Sequence, residues 1–407
     1  MESILLPDNL KDRQILLAVS GGIAAYKAAE LCRLLVRAQA RVNVMMTAAA
    51  RRFVGQVTFA ALSGRPVAFD LFDPQQEAQV GHIQLADEAD LLVVAPATAN
   101  LLAKLCHGIA DELVSTVYLA YTGPVLLAPA MNVKMWEHPA TQVNVGVLRE
   151  RGHQLVGPAS GELACGHVGA GRMAEPEEIL QAAGACLAPQ DLAGRTVLVT
   201  AGPTHEPVDP VRFIGNRSSG RMGFALAAEA ASRGARTRLV AGPTSLSTPY
   251  GVERVDVVTA AQMALAVREG VAGADLVLMA AAVADYRPST PSGTKLKKES
   301  LGQQAQLSLS RNDDILAGLG RLSPRPLLVG FAAETGELER VAPAKLAAKG
   351  CDLLVANDVS ATDAGFEVES NRVTILDSEG GIERLPLLGK REVARLILDR
   401  AIQRLRR

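Results

Sequence analysis

The sequence predicts an α/β protein built as two doubly wound parallel-sheet domains. Three observations predict it. Apolar runs of strand length alternate with helical patterns along the whole chain. Those runs are continuous rather than alternating, as in parallel sheets covered on both faces. The opening of the pattern also occurs twice, as Leu17-Ala18-Val19-Ser20-Gly21-Gly22 and as Leu198-Val199-Thr200-Ala201-Gly202.

In the first half, strands are expected at 15–19, 42–46, 91–95, 125–128 and 155–157. The clearest helix spans 24–38, where Ala24, Ala28, Leu31, Leu35 and Ala38 recur at three- and four-residue steps on one face. A loop at 187–194 precedes the second start. Strands then fit 196–200, 237–241, 276–280, 327–330, 353–356 and 373–376, with helices at 220–232 and 390–404. The predicted organisation is two Rossmann-like domains, residues 1–189 and 190–407.

Composition excludes several function classes. The chain has 407 residues, enough for two or three domains, and 42 Lys+Arg against 43 Asp+Glu, without the basic excess that nucleic-acid binding needs. Aromatic residues, at 3%, leave few platforms for stacking bases. No uncharged apolar stretch approaches the ~18 residues of a membrane helix, since Asp275 interrupts the best one. The first apolar run, 15–19, is too short and too charged in its flanks for a signal peptide. Five scattered cysteines fit neither a disulfide framework nor a zinc pair. A reduced, cytoplasmic enzyme is expected, with small-molecule partners and neither nucleic acid nor membrane.

Ligands of open α/β sheets bind beyond the C-terminal strand ends. Ser20-Gly21-Gly22-Ile23 follows the first strand, where glycines let backbone N–H groups reach an anion at a helix start. There is no GxGxxG there, which speaks against a dinucleotide. Thr47 ends the second strand, and Ala95-Pro96-Ala97-Thr98-Ala99-Asn100 supplies a hydroxyl and an amide after the third. His82, in Gly81-His82-Ile83, is a candidate exposed imidazole for proton transfer near neutral pH. Asn132 follows Pro129-Ala130-Met131 and suits a substrate carboxylate. Cys165 stands among four glycines in 161–173, a pattern of a mobile loop and a reactive thiol. The other four cysteines sit in apolar settings and are expected in the core.

Five motifs in this chain order, Ser20-Gly21-Gly22-Ile23, Gly81-His82-Ile83, 95–100, 129–132 and the Cys165 loop, resemble the flavin-dependent cysteine decarboxylases. Specifically they are similar to the N-terminal half of the bifunctional phosphopantothenoylcysteine decarboxylase/phosphopantothenate–cysteine ligase family of coenzyme A biosynthesis. The resemblance implies FMN held by Ser20, Gly21, Gly22, Thr47, Thr98, Asn100 and Ser115. It further implies His82 as base or orienter, Asn132 on the substrate carboxylate and Cys165 as the acid that protonates an ene-thiolate.

In the second half, a polar run from Ala201 through Arg212, Asn216, Ser218, Ser219 and Gly220 joins a strand to a helix. A loop of about twenty residues inside a compact fold is usually functional. Asp285 follows an apolar strand and precedes Lys295, Lys297 and Lys298, while Lys345 and Lys349 share a helical face. Two lysine groups beyond strand ends suit a polyphosphate. Phe331 also follows a strand and is placed to flank a base.

These segments, with Ala356-Asn357-Asp358-Val359, resemble the ligase half of the same family. The resemblance implies CTP and a divalent cation, usually Mg2+, with 4′-phosphopantothenate activated as an acyl-cytidylate and then attacked by the cysteine amine. CTP would be held by Met279, Ala280, Ala281, Asp285, Lys295, Asn312, Asp313, Asp314, Ile315, Phe331, Lys345 and Lys349. Lys295 would stabilise charge in the first step, and Asn216 with Arg212 would bind the acyl intermediate. The metal ligands are not implied. A homo-oligomer is implied, trimeric through the flavin half and dimeric through the ligase half, commonly a dodecamer.

The sequence departs from the family pattern at Asn312-Asp313-Asp314-Ile315, where proline is common second, and at His205 and Arg221, where arginine and lysine are frequent. A rival reading is a flavin-dependent cysteine decarboxylase with a regulatory nucleotide-binding half; Arg212, Asn216 and Lys295 together argue against it. A non-enzymatic flavin-binding subunit is disfavoured by the presence of both His82 and Cys165.

Overall fold

The computed structural model describes residues 6–71, 81–162, 168–297, 305–334, 338–358 and 370–406. The chain divides into two compact units, Met1–Ala188 and Pro189–Arg407.

The first unit is organised by a parallel sheet of order β3-β2-β1-β4-β5-β6. Its strands are β1 (Gln14–Val19), β2 (Arg41–Met46), β3 (Val67–Ala68), β4 (Leu91–Ala97), β5 (Val125–Pro129) and β6 (Gln154–Leu155). The helices are α1 (Ala25–Arg37), α2 (Gln56–Ser63), α3 (His82–Glu88), α4 (Ala99–His107), α5 (Leu113–Ala120), α6 (Val133–Trp136), α7 (Pro139–Glu150) and α8 (Pro176–Leu187). The central strands β1, β4 and β5 are buried almost throughout, which is why they are written as unbroken apolar runs. β4 runs past Pro96 to Ala97, two residues beyond the expected end, with a register shift against β5 between Val94 and Ala97. A hairpin, β7 (Ala159–Glu162) with β8 (Val168–Arg172), follows β6.

The second unit repeats the plan with additions. Its sheet has the order β13-β12-β9-β14-β17-β18-β20-β21. These are β9 (Thr196–Ala201), β12 (Arg236–Ala241), β13 (Val252–Asp256), β14 (Leu276–Met279), β17 (Leu327–Glu334), β18 (Leu353–Asp358), β20 (Val373–Asp377) and β21 (Ile382–Arg384). Short two-stranded pairs lie outside it: β10 (His205–Pro207) with β11 (Phe213–Gly215), β15 (Tyr286–Pro288) with β16 (Leu309–Arg311), and β19 (Ser370–Asn371) with β22 (Leu388–Gly389). The helices are α9 (Arg221–Ser232), α10 (Ala260–Val271), α11 (Ile315–Leu319), α12 (Leu338–Lys349) and α13 (Lys390–Leu405).

This sheet is mixed where an all-parallel one was expected. β20 lies antiparallel to β18, and β21 to β20. β20 and β21 are joined by a tight turn rather than a crossover, and a hairpin joins only antiparallel strands. The 201–223 segment is likewise not all loop, because β10 and β11 pair within it. On one face of the sheet α9 and α13 pack together. Arg233 at the end of α9, 3% exposed, pairs with Asp191 and Asp399, both at 2.6 Å. A guanidinium buried this deeply is retained because two carboxylates satisfy it. Among the described residues no helix is long and apolar enough to cross a membrane.

Candidate functional site

In the first unit the strand order reverses between β1 and β4, and the chain leaves these neighbours in opposite directions. The crevice so formed is a cavity of about 980 Å³. It gathers Ser20, Gly21, Gly22, Thr47, Thr98, Asn100 and Asn132, residues drawn from the ends of four strands. Ser20 is buried and spans the crevice, its Oγ donating to Pro96 O at 2.7 Å and accepting from Thr98 N at 3.2 Å. Thr47 Oγ1 accepts from Ala50 N at 3.1 Å, and Thr98 caps α4 by accepting from Leu101 N at 3.4 Å. Asn132 caps α6, its Oδ1 accepting from Lys134 N at 2.9 Å. Side chains with backbone partners are held in one rotamer before any ligand arrives.

The two glycines serve different purposes. A Cβ on Gly21 would stand 2.4 Å from Ala49 Cβ and 2.7 Å from its carbonyl carbon, so the β1 and β2 loops touch only because it is glycine. A Cβ on Gly22 would meet only Thr98 Cγ2 within 4 Å, at 3.7 Å, so this backbone borders open space. With the starts of α1 and α4 also on the cavity, the arrangement fits a phosphate. Ile23, Ala48, Ala49, Met131 and Met135 add an apolar wall suited to a flat ring system.

Ser115 of the expected FMN set and His82, the expected base or orienter, lie elsewhere. His82 heads α3 and Ser115, 1% exposed, lies on α5; these helices pack on each other, and neither residue lines the cavity. His82 is also half-buried, where an exposed ring was expected. Cys165 lies outside the described residues. Of the remaining cysteines Cys32, Cys106 and Cys351 are buried, with burial pushing the Cys32 thiol up to about 11, whereas Cys186 is only partly covered.

The second cavity, about 790 Å³, occupies the equivalent crevice between β9 and β14. It gathers Asn216, Met279, Ala280, Ala281, Asp285, Asn312, Asp313, Asp314, Ile315, Phe331, Lys345 and Lys349. The loop after β14 is pinned by two threonines from the β9 side. Thr200 Oγ1 accepts from Ala281 N at 3.1 Å and Thr204 Oγ1 from Ala284 N at 2.9 Å. Asn216 Nδ2 donates to Ala282 O in the same loop at 2.9 Å. Asn312, 8% exposed, ties this loop to the next, donating to Ala284 O and accepting from Arg287 Nη1, each at 2.8 Å. Those bonds hold the turn that lacks the usual proline. Asp314 caps α11, accepting from Ala317 N at 3.0 Å, and pairs with Lys349. Burial would raise its carboxyl, but the Lys349 and Ala317 hydrogen bonds outweigh that and hold it below the ordinary range.

Arg212 and Lys295 do not line this cavity. Arg212 lies beside Asp209, whose side chain is fully covered: Asp209 Oδ2 accepts from Arg212 and, at 3.1 Å, from the N–H of Leu296, the residue after Lys295. His205, where arginine is frequent, stacks on Phe213 with ring centroids 3.7 Å apart. Among the described residues no cluster of His, Cys, Asp and Glu is arranged to hold a metal.

Residues 4–187 match the Flavoprotein family, and residues 192–405 match the DNA/pantothenate metabolism flavoprotein C-terminal domain. The chain is 48% identical over 394 residues to the coenzyme A biosynthesis bifunctional protein CoaBC of Bacillus subtilis, covering 96% of this chain and 97% of that one. It is 46% identical over 399 residues to the Escherichia coli K12 protein of the same name, covering 97% and 98%. The chain belongs to the family of coenzyme A biosynthesis bifunctional proteins. A crystal structure of the C-terminal domain of a CoaBC protein is 41% identical, with a TM-score of 0.46, covering 53% of this chain and 98% of that one. As a member of the family the chain is a bifunctional enzyme, a flavoprotein decarboxylase and a ligase.

Sequence reasoning missed several cavity residues of this family member. Lys27, 6% exposed, donates to Met173 O at 3.3 Å and to Glu175 Oε2 at 2.8 Å, joining α1 to the segment after β8. Its signal was present, a lysine on the apolar face beside Ala24, Ala28 and Leu31. Lys104 is paired with Asp111 and Glu112 at the same cavity. Asn371 and Lys390, both buried, line the second cavity without any motif around them.

Proposed function

We propose that the C-terminal half, 190–407, joins cysteine to 4′-phosphopantothenate at the expense of CTP, and that the N-terminal half, 1–189, decarboxylates the product to 4′-phosphopantetheine with FMN. The observation that carries this reading is the pair of switch-point cavities, each gathering most of the residues named from its motifs. A carboxylate is a poor electrophile because its leaving group would be oxide. Activation as a mixed anhydride with CMP, with loss of pyrophosphate, supplies a good leaving group for attack by the cysteine amine.

In the ligase half, Asp285, Phe331, Lys345 and Lys349 hold CTP, with Asn312, Asp313, Asp314 and Ile315 and the backbone of Met279, Ala280 and Ala281 closing around it. Mg2+ accompanies the triphosphate, as is usual where phosphates rather than a protein cage supply most ligands. Lys295 stabilises the charge that develops as the cytidylate forms. Asn216 and Arg212 bind the acyl-cytidylate for the amine's attack.

In the decarboxylase half, Ser20, Gly21, Gly22, Thr47, Thr98 and Asn100 hold FMN, its phosphate at the helix starts. Bound there, FMN supplies the redox chemistry that makes the thiol-bearing carbon an electron sink for loss of CO2. Asn132 binds the substrate carboxylate through its amide, which brings no competing charge. His82 orients the thiol or takes its proton, and Cys165 protonates the ene-thiolate carbon skeleton at the end. His82 and Ser115 stand away from their own chain's cavity, which supports a homo-oligomer, a trimer through this half, where a neighbouring copy supplies them. The ligase half is dimeric, and a dodecamer satisfies both contacts. The protein works in the cytoplasm.

The test is one reconstitution. Purified protein should be yellow, release pyrophosphate only when CTP, 4′-phosphopantothenate and cysteine are all present, and then release CO2. Pyrophosphate release without CO2, or colourless protein that releases CO2, refutes the flavin assignment. CO2 release from supplied phosphopantothenoylcysteine without any CTP turnover favours the regulatory reading of the second half.

A further inference from the structure

Among the described residues the hairpin strands β7 and β8 pair only with each other and stand outside the parallel sheet of the first unit. An isolated two-stranded hairpin is marginal by itself, so it takes its place from what its strands touch. Along β8 that contact is the Asn132 loop. Met131 N donates to Gly171 O at 2.9 Å, and β8 packs along α6, which Asn132 caps. A Cβ on Gly169 would stand 2.7 Å from Val133 Cγ2, and one on Gly171 would collide with the Met131 carbonyl oxygen. The fit therefore needs glycine at both places. The other side of the Asn132 loop is fixed by the sheet, where Ala130 N donates to Ala97 O at 3.1 Å.

Past the end of β8 the chain is tied to α1. Lys27 lies on the buried face of α1 with Ala28 and Leu31, yet its Nζ reaches Met173 O and Glu175 Oε2, at 3.3 and 2.8 Å. Glu175 stands at the start of α8 without capping it, and its other oxygen, Oε1, accepts from Arg172 at the end of β8. One half-exposed carboxylate thus joins a helix packed on the sheet to the last residue of the hairpin. Replacing a buried ion pair by packed apolar side chains is often neutral or stabilising, so stability alone does not account for a lysine here. What the tie supplies is position. Lys27, Met173, Arg172, Gly171, Met131 and Asn132 follow one another along the wall of one cavity.

We infer that Lys27 and Glu175 are positioning residues of the decarboxylase, which set β8 against the Asn132 loop and so fix the amide that takes the substrate's carboxylate. They act through Gly171 and Met131 and not on the carboxylate itself. The inference rests on the reading of Asn132 as the carboxylate's partner.

The test uses the full-length flavin-loaded protein with Lys27→Met and Glu175→Gln. Two unreactive ligands are titrated by calorimetry: 4′-phosphopantothenoylserine, which keeps the carboxylate but has no thiol to oxidise, and 4′-phosphopantothenoylethanolamine, which lacks the carboxylate. The parent should bind the first more tightly. Lys27→Met should weaken the carboxylate ligand by about tenfold and leave the other within twofold, because the amide is misplaced and the rest of the pocket is intact. Glu175→Gln, which leaves the Met173 bond in place, should weaken it about threefold. A tie kept for stability alone would lower the melting point and leave the ratio of the two affinities at the parent value, which overturns the inference. Equal weakening of both ligands overturns it too, since the pocket as a whole would then have loosened. Should Lys27→Met not fold, Glu175→Gln decides by the same ratio. Parent protein that binds both ligands alike overturns the reading of Asn132 itself.

Discussion

Asp209 holds the guanidinium of Arg212 through a single carboxylate oxygen, Oδ2, which accepts from Nε at 3.0 Å and from Nη2 at 2.6 Å. Oδ1 accepts the backbone N–H groups of Val211 and Arg212, at 2.9 and 2.8 Å. A guanidinium whose side chain is half exposed is thereby kept in one place, beside the segment that carries Lys295.

Asp209→Asn is therefore expected to lower ligase kcat/KM by about ten- to a hundredfold through misplacement of Arg212. Decarboxylation of supplied phosphopantothenoylcysteine should be unaffected. The Arg212 hydrogen bonds, aided by three backbone N–H groups, hold the Asp209 carboxyl far below the usual carboxylate range. A carboxyl lowered in the folded state stabilises fully above its unfolded value of about 3.9 and loses that contribution as pH falls toward its folded value. Melting curves of parent and Asp209→Asn should thus differ most at neutral pH and converge below about pH 4. A constant gap down to strong acid would contradict the clamp.

Asn216 donates to Ala282 O in the loop that also carries Ala281 and Asp285. Asn216→Asp replaces a donor by an anion next to the proposed acyl phosphate, which disfavours the intermediate's productive pose. Acyl-cytidylate should accumulate, detectable by mass spectrometry after acid quench. Amide formation at the parent rate would remove Asn216 from the second step.

Gly21→Ala places a methyl 2.4 Å from Ala49 Cβ and 2.7 Å from its backbone carbon. Backbone must move, at a cost of about 1–3 kcal/mol, and the loops that enclose the first cavity separate. The purified variant should have lost most of its yellow colour while keeping pyrophosphate release. Flavin content equal to the parent's would show that this contact does not shape the pocket.

Cys165→Ser replaces the proposed acid by a far weaker one. CO2 release should persist for a single turnover per flavin, and the oxidised ene-thiol product should build up, read by its absorbance and by mass. Phosphopantetheine formed at the parent rate would rule out this thiol.

The long central strands of both units were legible because continuous burial writes an unbroken apolar run, as in Leu91–Ala97. The strand-end residues followed from the same pattern, since a doubly wound sheet puts those loops on its crevice. Short strands were not legible. His205–Pro207 and Phe213–Gly215 are three residues each, and polar enough to read as loop. The antiparallel turn of Val373–Asp377 was hidden too, because an apolar run does not record its direction.

By itself the sequence determined the long strands and helices of both units and the strand-end loops that carry the motifs. It did so because burial periodicity and glycine placement are local properties. Only the tertiary structure decided which side chains share a wall. Asn371 lines one cavity with Arg221 and Met222 at the start of α9, about 150 residues away in sequence, and Arg212 owes its position to Asp209 and to the carbonyl of Leu296. The same folding carries His82 and Ser115 away from a cavity that their motifs alone would have put them in. Contacts of that range depend on packing and register, which composition and spacing do not encode.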